Sequence, residues 1–201
     1  MLDKLYGRLH KKNTAFAYIA FIIIGIILQI VAILIEWGFG SFGDVFLAII
    51  STNLVPLIGL ALLFFAVFSN RKLLTVIVIC LFGAYYLISI VLDFIEGFRF
   101  SAIVNILEIV YFLGMVALAA CVVLHYKGIM TDLAQLGITL GSSVIGLIGS
   151  LIPILNIVFS GYYDFDSSLF VELIYIVGMV LIWISRPFAV ASAYLCLSNN
   201  N

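Results

Sequence analysis

The sequence predicts an all-α polytopic membrane protein: six transmembrane helices that form three tandem helical hairpins, arranged as parallel repeats. Of the 201 residues, 66% are hydrophobic and only 9% are charged, whereas a soluble domain has about 25% charged residues. Six apolar stretches are each long enough to cross a bilayer, which takes about 20 residues. Apolar side chains face outward in lipid, where a helix satisfies its own backbone hydrogen bonds. The lipid bilayer is therefore the first expected partner.

Six helices are predicted in order, each bounded by a short polar or glycine-containing joint. They cover residues 14–37, 45–68, 73–95, 102–126, 136–159 and 169–196. Because the joints are short, each helix is expected to lie antiparallel to the next one along the chain. The resulting hairpins are 14–68, 73–126 and 136–196, within one transmembrane domain at 14–197.

Residues 1–13, before the first helix, are predicted to form a basic amphipathic juxtamembrane segment. Leu2, Leu5, Tyr6 and Leu9 recur at helical spacing on one face. The basic residues of the segment lie elsewhere, at Lys4, Arg8, Lys11 and Lys12. This pattern is typical of a short helix on an anionic leaflet, and the alternative is a frayed basic tail.

The fifth predicted helix carries a surface of small residues. Its helix-packing candidates are Gly137, Gly141, Ser142, Gly146 and Ser150. Small residues let helices approach closely in lipid, where packing drives association. We therefore expect this helix to lie at the centre of the bundle with neighbours on two sides. The alternative is a helix that lines a pore or faces a substrate.

Prolines and one arginine interrupt the apolar stretches. Pro56, Pro153 and Pro187 are expected to kink their helices. Arg186 lies toward the end of the sixth helix, and its long side chain is expected to extend to the cytoplasmic surface. The alternative is a buried arginine that partners a polar residue such as Gln29.

The second and third hairpins share a sequence pattern at a shift of 64 residues. The stretch from Glu108 to Val116 and the stretch from Glu172 to Val180 both read E-x-x-Y-x-x-G-M-V. The first hairpin fits less closely, with a polar residue, Asn53, six positions before a glycine. Each repeat has two helices, so successive repeats enter the membrane in the same sense and are parallel rather than inverted.

The repeated polar residues define a candidate polar pocket. Its members are Asn53, Glu108, Tyr111, Glu172 and Tyr175. Ionisable groups at membrane depth are costly and usually face protein or water. If three hairpins pack around a shared axis, these side chains converge toward the outer surface. The alternative for Glu172 is an interfacial acid near a helix N-terminus, where the dipole favours negative charge.

The distribution of charge predicts orientation. Basic residues concentrate before the first helix and in the second and fourth joints, whereas the opposite joints are acidic and contain Arg99 as their only basic residue. Since cytoplasmic loops are enriched in lysine and arginine, we expect a multi-pass protein of the plasma membrane with both termini in the cytoplasm.

Composition and spacing argue against several function classes. The net charge of −1 gives no basic field for nucleic acid. The three cysteines are far apart without CxxC spacing, so neither a disulfide framework nor a metal site is expected. The sequence has no HExxH, Walker or GxSxG element. We therefore expect no catalytic residues, no cofactor and no enzyme activity.

Two function hypotheses remain. The first is a non-catalytic accessory, immunity or stress-type membrane protein that acts through helix contacts, by self-association or with a larger membrane partner. The second is a small-solute or proton-coupled transporter, or the membrane substrate-binding subunit of a larger transporter, that uses Glu108 and Glu172.

In architecture the chain resembles known families of small membrane proteins. Three tandem hairpins in about 200 residues resemble a family of small bacterial stress-associated inner-membrane proteins, although no diagnostic motif is shared. This resemblance implies a non-enzymatic role in envelope protection. Six helices at this length also suit the substrate-binding subunit of vitamin-uptake transporters, but no small-residue signature of that family maps onto this chain.

Overall fold

A computed structural model describes residues 11–37, 42–96, 102–129, 131–160 and 169–198, with the side chains of some helical residues left out. The described part of the chain is all-helical and contains six α-helices. They are α1 (Lys11–Trp37), α2 (Phe42–Phe68), α3 (Lys72–Glu96), α4 (Ala102–Tyr126), α5 (Thr131–Ser160) and α6 (Leu169–Ser198). The predicted basic segment lies almost entirely outside the described residues.

Five of these helices are long and apolar enough to cross a membrane: α1, α3, α4, α5 and α6. In α2 the apolar stretch among the described residues is Leu57–Phe68. Large apolar side chains are exposed along every helix, as expected where lipid surrounds them. These helices indicate a multi-pass helical membrane protein.

The start of α5 differs most from the prediction. The helix begins at Thr131, five residues before the predicted start at 136, because the polar residues here had been assigned to a joint. Asp132 lies in the first turn of α5, where the partial positive charge of the helix N-terminus stabilises a carboxylate. Polar residues at this position therefore belong to the helix end.

Helices α2 and α4 end in the same backbone motif. Asn70 has φ 56° and Gly128 has φ 70°, which is the left-handed conformation that closes helix C-termini. After α2, the amides of Asn70 and Arg71 donate to carbonyls of the last helical turn, and after α4 the amides of Gly128 and Ile129 do the same. This pattern is the Schellman motif, and it reverses the chain into α3 and toward α5.

The six helices form a closed ring in which α6 is displaced inward. Each helix packs on the next one along the chain, and α6 also packs on α1, in the most extensive contact of the bundle. In addition α6 contacts α2, α3 and α4. The fifth helix does have neighbours on two sides, since α5 packs on α4 and α6 in the described structure. The prediction that it is central is wrong, because α6 contacts all five other described helices and takes the centre.

The composition of α6 explains its central position. From Ala189 to Leu197 every residue is buried, and alanine, serine and valine supply much of this stretch. A helix that is apolar on all sides is expected in the interior of a bundle. Its two buried serines do not need outside partners, because Ser185 and Ser192 donate to carbonyls one turn earlier at 2.6 and 2.7 Å.

Glycines set the closest helix crossings. A methyl group added at Gly178 of α6 would lie 2.7 Å from the carbonyl oxygen of Gly25 in α1, and the reverse substitution gives the same distance. At the α4–α5 contact, a methyl at Gly114 would overlap Ile145. A methyl at Gly59 of α2 would lie 3.2 Å from the Phe82 ring of α3.

Candidate functional site

The sixth helix carries a buried arginine at mid-membrane depth. The Arg186 side chain is only 6% exposed. Along the helix axis it lies about 25 Å from the start of α6 and about 18 Å from its end, at a rise of 1.5 Å per residue. The expectation that Arg186 extends to the cytoplasmic surface is therefore wrong. The side chain is instead buried among the helices of the bundle.

Pro187, the next residue, leaves a backbone carbonyl at this depth without its helical hydrogen bond. Proline has no N–H, so the carbonyl four residues earlier, that of Trp183, loses its helical hydrogen bond. The Tyr111 hydroxyl of α4 donates to this carbonyl at 2.9 Å. Gly149 of α5 makes room for the tyrosine, since a methyl there would lie 2.6 Å from the Tyr111 ring. Three helices thus meet at the proline of α6.

Aromatic rings and phenol hydroxyls surround the guanidinium. The Arg186 Cζ atom lies 4.8 Å from the centre of the Trp183 ring, within the range of a cation–π interaction. Tyr86 and Tyr111 interact electrostatically with the guanidinium, and Phe112 stacks with Trp183 at 6.3 Å. We call these five residues the Arg186 cluster.

Two polar atoms of the Arg186 cluster are buried without a hydrogen-bond partner. They are Arg186 Nε and the Tyr86 hydroxyl oxygen. The two side chains interact, but no hydrogen bond of good geometry joins these atoms. The Tyr86 side chain nonetheless lies close to the Arg186 guanidinium and to the Tyr111 hydroxyl, so the three polar side chains form one buried group.

The buried charge of Arg186 is surrounded by aromatic and phenolic side chains. Arginine is not deprotonated in proteins, and the effective cost of burying one ion is several kcal/mol. A cation–π contact contributes about 2 kcal/mol when desolvated. Among the described residues, the groups that act electrostatically on Arg186 are Tyr86, Tyr111 and Tyr85, which are phenols and do not neutralise the cation.

The predicted polar pocket is only partly covered by the described residues. Tyr111 is fully buried, whereas Glu108, Glu172 and Tyr175 are half-buried. The side chain of Asn53 lies outside the described set. The Tyr111 hydroxyl of α4 donates its hydrogen bond to the Trp183 carbonyl of α6. Its hydrogen bond to α6 is therefore not made with Tyr175, the matching tyrosine of the repeat.

The register between α4 and α6 follows from that hydrogen bond. Both helices run in the same direction, because α5 lies between them in the chain. With Tyr111 level with Trp183, Glu108 and Glu172 lie about 12 Å apart along the bundle axis. A pocket that contains both acids would have to extend over that length, and the shared pocket stays a prediction.

The small-residue surface of α5 divides between two environments. A methyl at Gly137 would lie 3.3 Å from Cys121 Sγ, and one at Gly141 would lie 3.0 Å from the Leu118 side chain, so both glycines face α4. A methyl at Gly146 would meet nothing within 4 Å. The Ser150 hydroxyl donates to the Leu147 carbonyl of its own helix.

Gly146 faces a groove on the outer side of α6. The groove has a volume of about 340 Å³ and is lined by Ser142, Ser143, Gly146 and Leu147 of α5 and by Ile184 and Phe188 of α6. The Phe188 ring, which lines the groove, also contacts Phe21 of α1, with the ring centres 5.8 Å apart. Gly146 is near the middle of α5, so the α5–α6 groove lies at mid-membrane depth.

Comparison with known proteins does not assign this site: no family model, no curated protein and no solved structure matches the chain. Among the described residues no group of three histidine, cysteine or acidic side chains lies close enough to hold a metal ion. The three cysteines are free, and Cys80 is exposed while Cys196 is buried. Any functional assignment therefore rests on the geometry of the chain itself.

Proposed function

We propose that this chain is a non-catalytic multi-pass membrane protein that acts by binding a transmembrane helix of a partner protein in the α5–α6 groove. The observation that supports this proposal is the unfilled space beside Gly146 in the α5–α6 groove. The glycines at 137, 141 and 149 each face α4 within 3.3 Å, whereas Gly146 has open space. Since helices in lipid associate through close packing at small residues, a small-residue surface left open at mid-membrane suits a helix from another chain.

A partner helix fits this groove better than a second copy or a lipid chain. In a twofold dimer whose axis passes through the groove, the groove would face its own copy and its volume would stay unfilled. A lipid chain gains nothing specific from glycine, whereas a helix gains close backbone approach there. The exposed rim residue Leu147, 67% exposed, provides the apolar contact beside it.

Site-specific photocrosslinking in the native membrane tests this proposal. A photoreactive amino acid is introduced at Ser143 or at Leu147 on the groove rim, and in parallel at Leu81 of α3, which is 61% exposed and remote from the groove. We expect one defined membrane protein to be crosslinked from the two rim positions and not from Leu81.

The matched control separates helix docking from lipid exposure. Gly146→Leu adds a side chain where a Cβ would meet nothing within 4 Å, so it should occupy the groove and abolish the crosslink at normal expression. Ala117→Leu places the same leucine side chain on an exposed face of α4 and should preserve the crosslink. An adduct of twice the chain mass would identify a second copy instead, and a crosslink that persists in Gly146→Leu would contradict the proposal.

The orientation proposed for this protein follows from its basic residues. We propose that all six helices span the plasma membrane with both termini in the cytoplasm. The support is the excess of lysine and arginine before α1 and in the joint that contains Arg71 and Lys72. A tag at either terminus should be inaccessible to a membrane-impermeant reagent in intact cells.

The threefold hairpin repeat is also part of the proposal. It is supported by the glycines at the matched position of each hairpin, Gly59, Gly114 and Gly178. Each of them packs against the helix that follows in the ring: α3, α5 and α1, respectively. The bundle departs from threefold symmetry at α6, which lies further inward than the matching helices α2 and α4.

A second candidate is a transporter that uses Glu108 and Glu172. The observation that favours it is the position of Glu108, which is half-buried one turn before the fully buried Tyr111 and so lies close to the bundle interior. An acid at that depth is a candidate for proton or solute binding. Combined replacement of both acids by glutamine is the test.

A further inference from the structure

We propose that one aromatic side chain of the partner helix enters the α5–α6 groove and packs against Gly146, a proposal that rests on the partner helix inferred above. The groove thereby recognises a ring near the middle of the partner's membrane span. The alternative is a small residue at that position of the partner, which would bring the two backbones together at Gly146. The shape of the groove and the packing of the other glycines decide between the two.

Gly146 forms a buried floor with unfilled space beside it. The glycine itself is buried, yet an added Cβ would meet nothing within 4 Å. The groove that it lines has a volume of about 340 Å³, which is more than twice the roughly 150 Å³ of an apolar cavity that binds benzene. The groove therefore has the volume for a ring, and the atoms that line it lack packing partners until it is filled.

Elsewhere in the bundle, glycines of one helix receive aromatic rings of its neighbour. A methyl at Gly59 of α2 would lie 3.2 Å from the Phe82 ring of α3. A methyl at Gly149 of α5 would lie 2.6 Å from the Tyr111 ring of α4. Two helix contacts of this chain thus seat a ring on a glycine, and Gly146, three residues before Gly149 on the same helix, offers a seat of the same kind.

The walls of the groove favour a side chain over a backbone as the group that reaches the floor. Leu147 and Phe188 line the groove with large side chains that are 67% and 42% exposed. The small residues Ser142 and Ser143 let a partner helix come close, whereas the two large side chains keep its backbone off Gly146, so that a side chain enters between them.

The lining of the groove also favours an aromatic group. None of the described residues that line it is charged, so an apolar group is the one that it accepts without loss of hydration. The Phe188 ring is part of the wall, and two rings attract each other in offset or edge-to-face arrangements beyond the burial of their area. An aromatic side chain therefore complements both the floor and the wall.

The depth of Gly146 gives the position of the ring along the partner. Gly146 lies about 22 Å from the start of α5 and about 21 Å from its end, at a rise of 1.5 Å per residue. The complementary ring therefore lies at the centre of the partner's span. Tryptophan and tyrosine of membrane helices are instead enriched at the two interfaces, so a central ring is a distinguishing feature of the partner.

Crosslinking with a residue-level readout tests the proposal in the native membrane. A short-range diazirine amino acid replaces Ile184 of α6, which lines the groove, in the full-length protein. Mass spectrometry then identifies the partner residue in the adduct. We expect this residue to lie within one helical turn of an aromatic residue at the centre of the partner's span.

An exchange of bulk between the two helices tests the fit. Replacement of the partner's central ring by alanine should lower the crosslink yield about tenfold or more, whereas alanine half a helical turn away on the partner should lower it less than about twofold. Gly146→Leu together with alanine in place of the ring should restore the yield to within about threefold of the unmodified pair, because the leucine fills the vacated space. Ala117→Leu, the matched control on α4, should not restore the yield of the same partner variant.

The outcomes separate the aromatic occupant from the partner helix itself. A captured helix without an aromatic residue within one turn of the adduct, or one that keeps its yield after loss of the ring, would overturn the aromatic occupant and leave the docked helix standing. The absence of any adduct from Ile184, Ser143 and Leu147 would overturn both. If Gly146→Leu does not fold, the yield after loss of the partner's ring decides.

Discussion

The α1–α6 crossing provides the sharpest prediction, because backbone rather than side chain limits it. In Gly178→Ala the new Cβ would lie 2.7 Å from the Gly25 carbonyl oxygen, 3.0 Å from Gln29 Cγ and 3.2 Å from the Gln29 amide nitrogen. An ordinary contact between carbon and carbonyl oxygen is about 3.3–3.6 Å. The two helices must therefore separate by more than half an ångström (about 0.6–0.9 Å) at this point.

The magnitude follows from two opposing effects. Overpacking of a close-packed interior costs about 1–3 kcal/mol, whereas alanine favours a helix over glycine by up to about 1 kcal/mol. Because α1 and α6 form the most extensive contact of the bundle, a separation at Gly178 also loosens neighbouring contacts. We expect Gly178→Ala to lower the free energy of unfolding by about 1–2 kcal/mol.

Gly146→Ala is the matched control, because a methyl there meets nothing within 4 Å. This variant keeps the gain in helix propensity without the clash, so its stability should be unchanged or higher by up to about 1 kcal/mol. The assay is reversible unfolding in mixed detergent micelles, followed by circular dichroism. Gly25→Ala, which would place a methyl 2.7 Å from the Gly178 carbonyl oxygen, should match Gly178→Ala in direction.

The reasoning has a clear point of failure. If Gly178→Ala is as stable as the unmodified protein while Gly146→Ala is not stabilised, the α1–α6 crossing cannot be as close as described. The double variant Gly25→Ala with Gly178→Ala adds a further check. Since one separation of the helices relieves both clashes, its destabilisation should be smaller than the sum of the single effects.

Three further predictions test other contacts of the bundle. Tyr111→Phe removes the hydrogen-bond donor to the Trp183 carbonyl and should lower the free energy of unfolding by about 1–3 kcal/mol. Its control, Tyr126→Phe at an exposed residue, should change that free energy by less than about 0.5 kcal/mol. Equal effects of the two variants would contradict the role of Pro187. In Gly114→Ala the new methyl overlaps the Ile145 side chain, so the free energy of unfolding should fall by about 1–2 kcal/mol. Adding Ile145→Val should restore part of that stability. A loss that the second substitution does not change would argue against this contact. Glu108→Gln with Glu172→Gln should leave the groove crosslink intact at normal expression, because neither acid lines the groove; a growth or uptake defect in that variant would favour the transporter.

The existence of the helices was predictable, because membrane insertion depends on local properties. Length and apolarity define each span, and these properties do not require knowledge of the neighbours. The start of α5 at Thr131 shows the limit of this reasoning. Polar residues in the first turn of a helix are stabilised by its N-terminus, so they can belong either to a joint or to a helix.

The packing order was less predictable, because it depends on which small residues meet a partner. Glycine spacing drew attention to α5, and three of its glycines, Gly137, Gly141 and Gly149, do face α4. The centre of the bundle instead falls to α6, whose small residues are mainly alanine and serine between Ala189 and Ala193. That composition was a usable signal, since such a helix can approach neighbours on every side.

Arg186 and Pro187 make α6 dependent on the rest of the bundle. Each places a polar group near the middle of the helix that needs an interaction partner. Arg186 contributes a charge, and Pro187 leaves the Trp183 carbonyl without its helical hydrogen bond. Helices α3 and α4 supply the groups that answer these requirements, through Tyr86 and Tyr111. The sixth helix is therefore more stable inside the ring than as an isolated membrane span, so its central position follows from the same residues that form the candidate site.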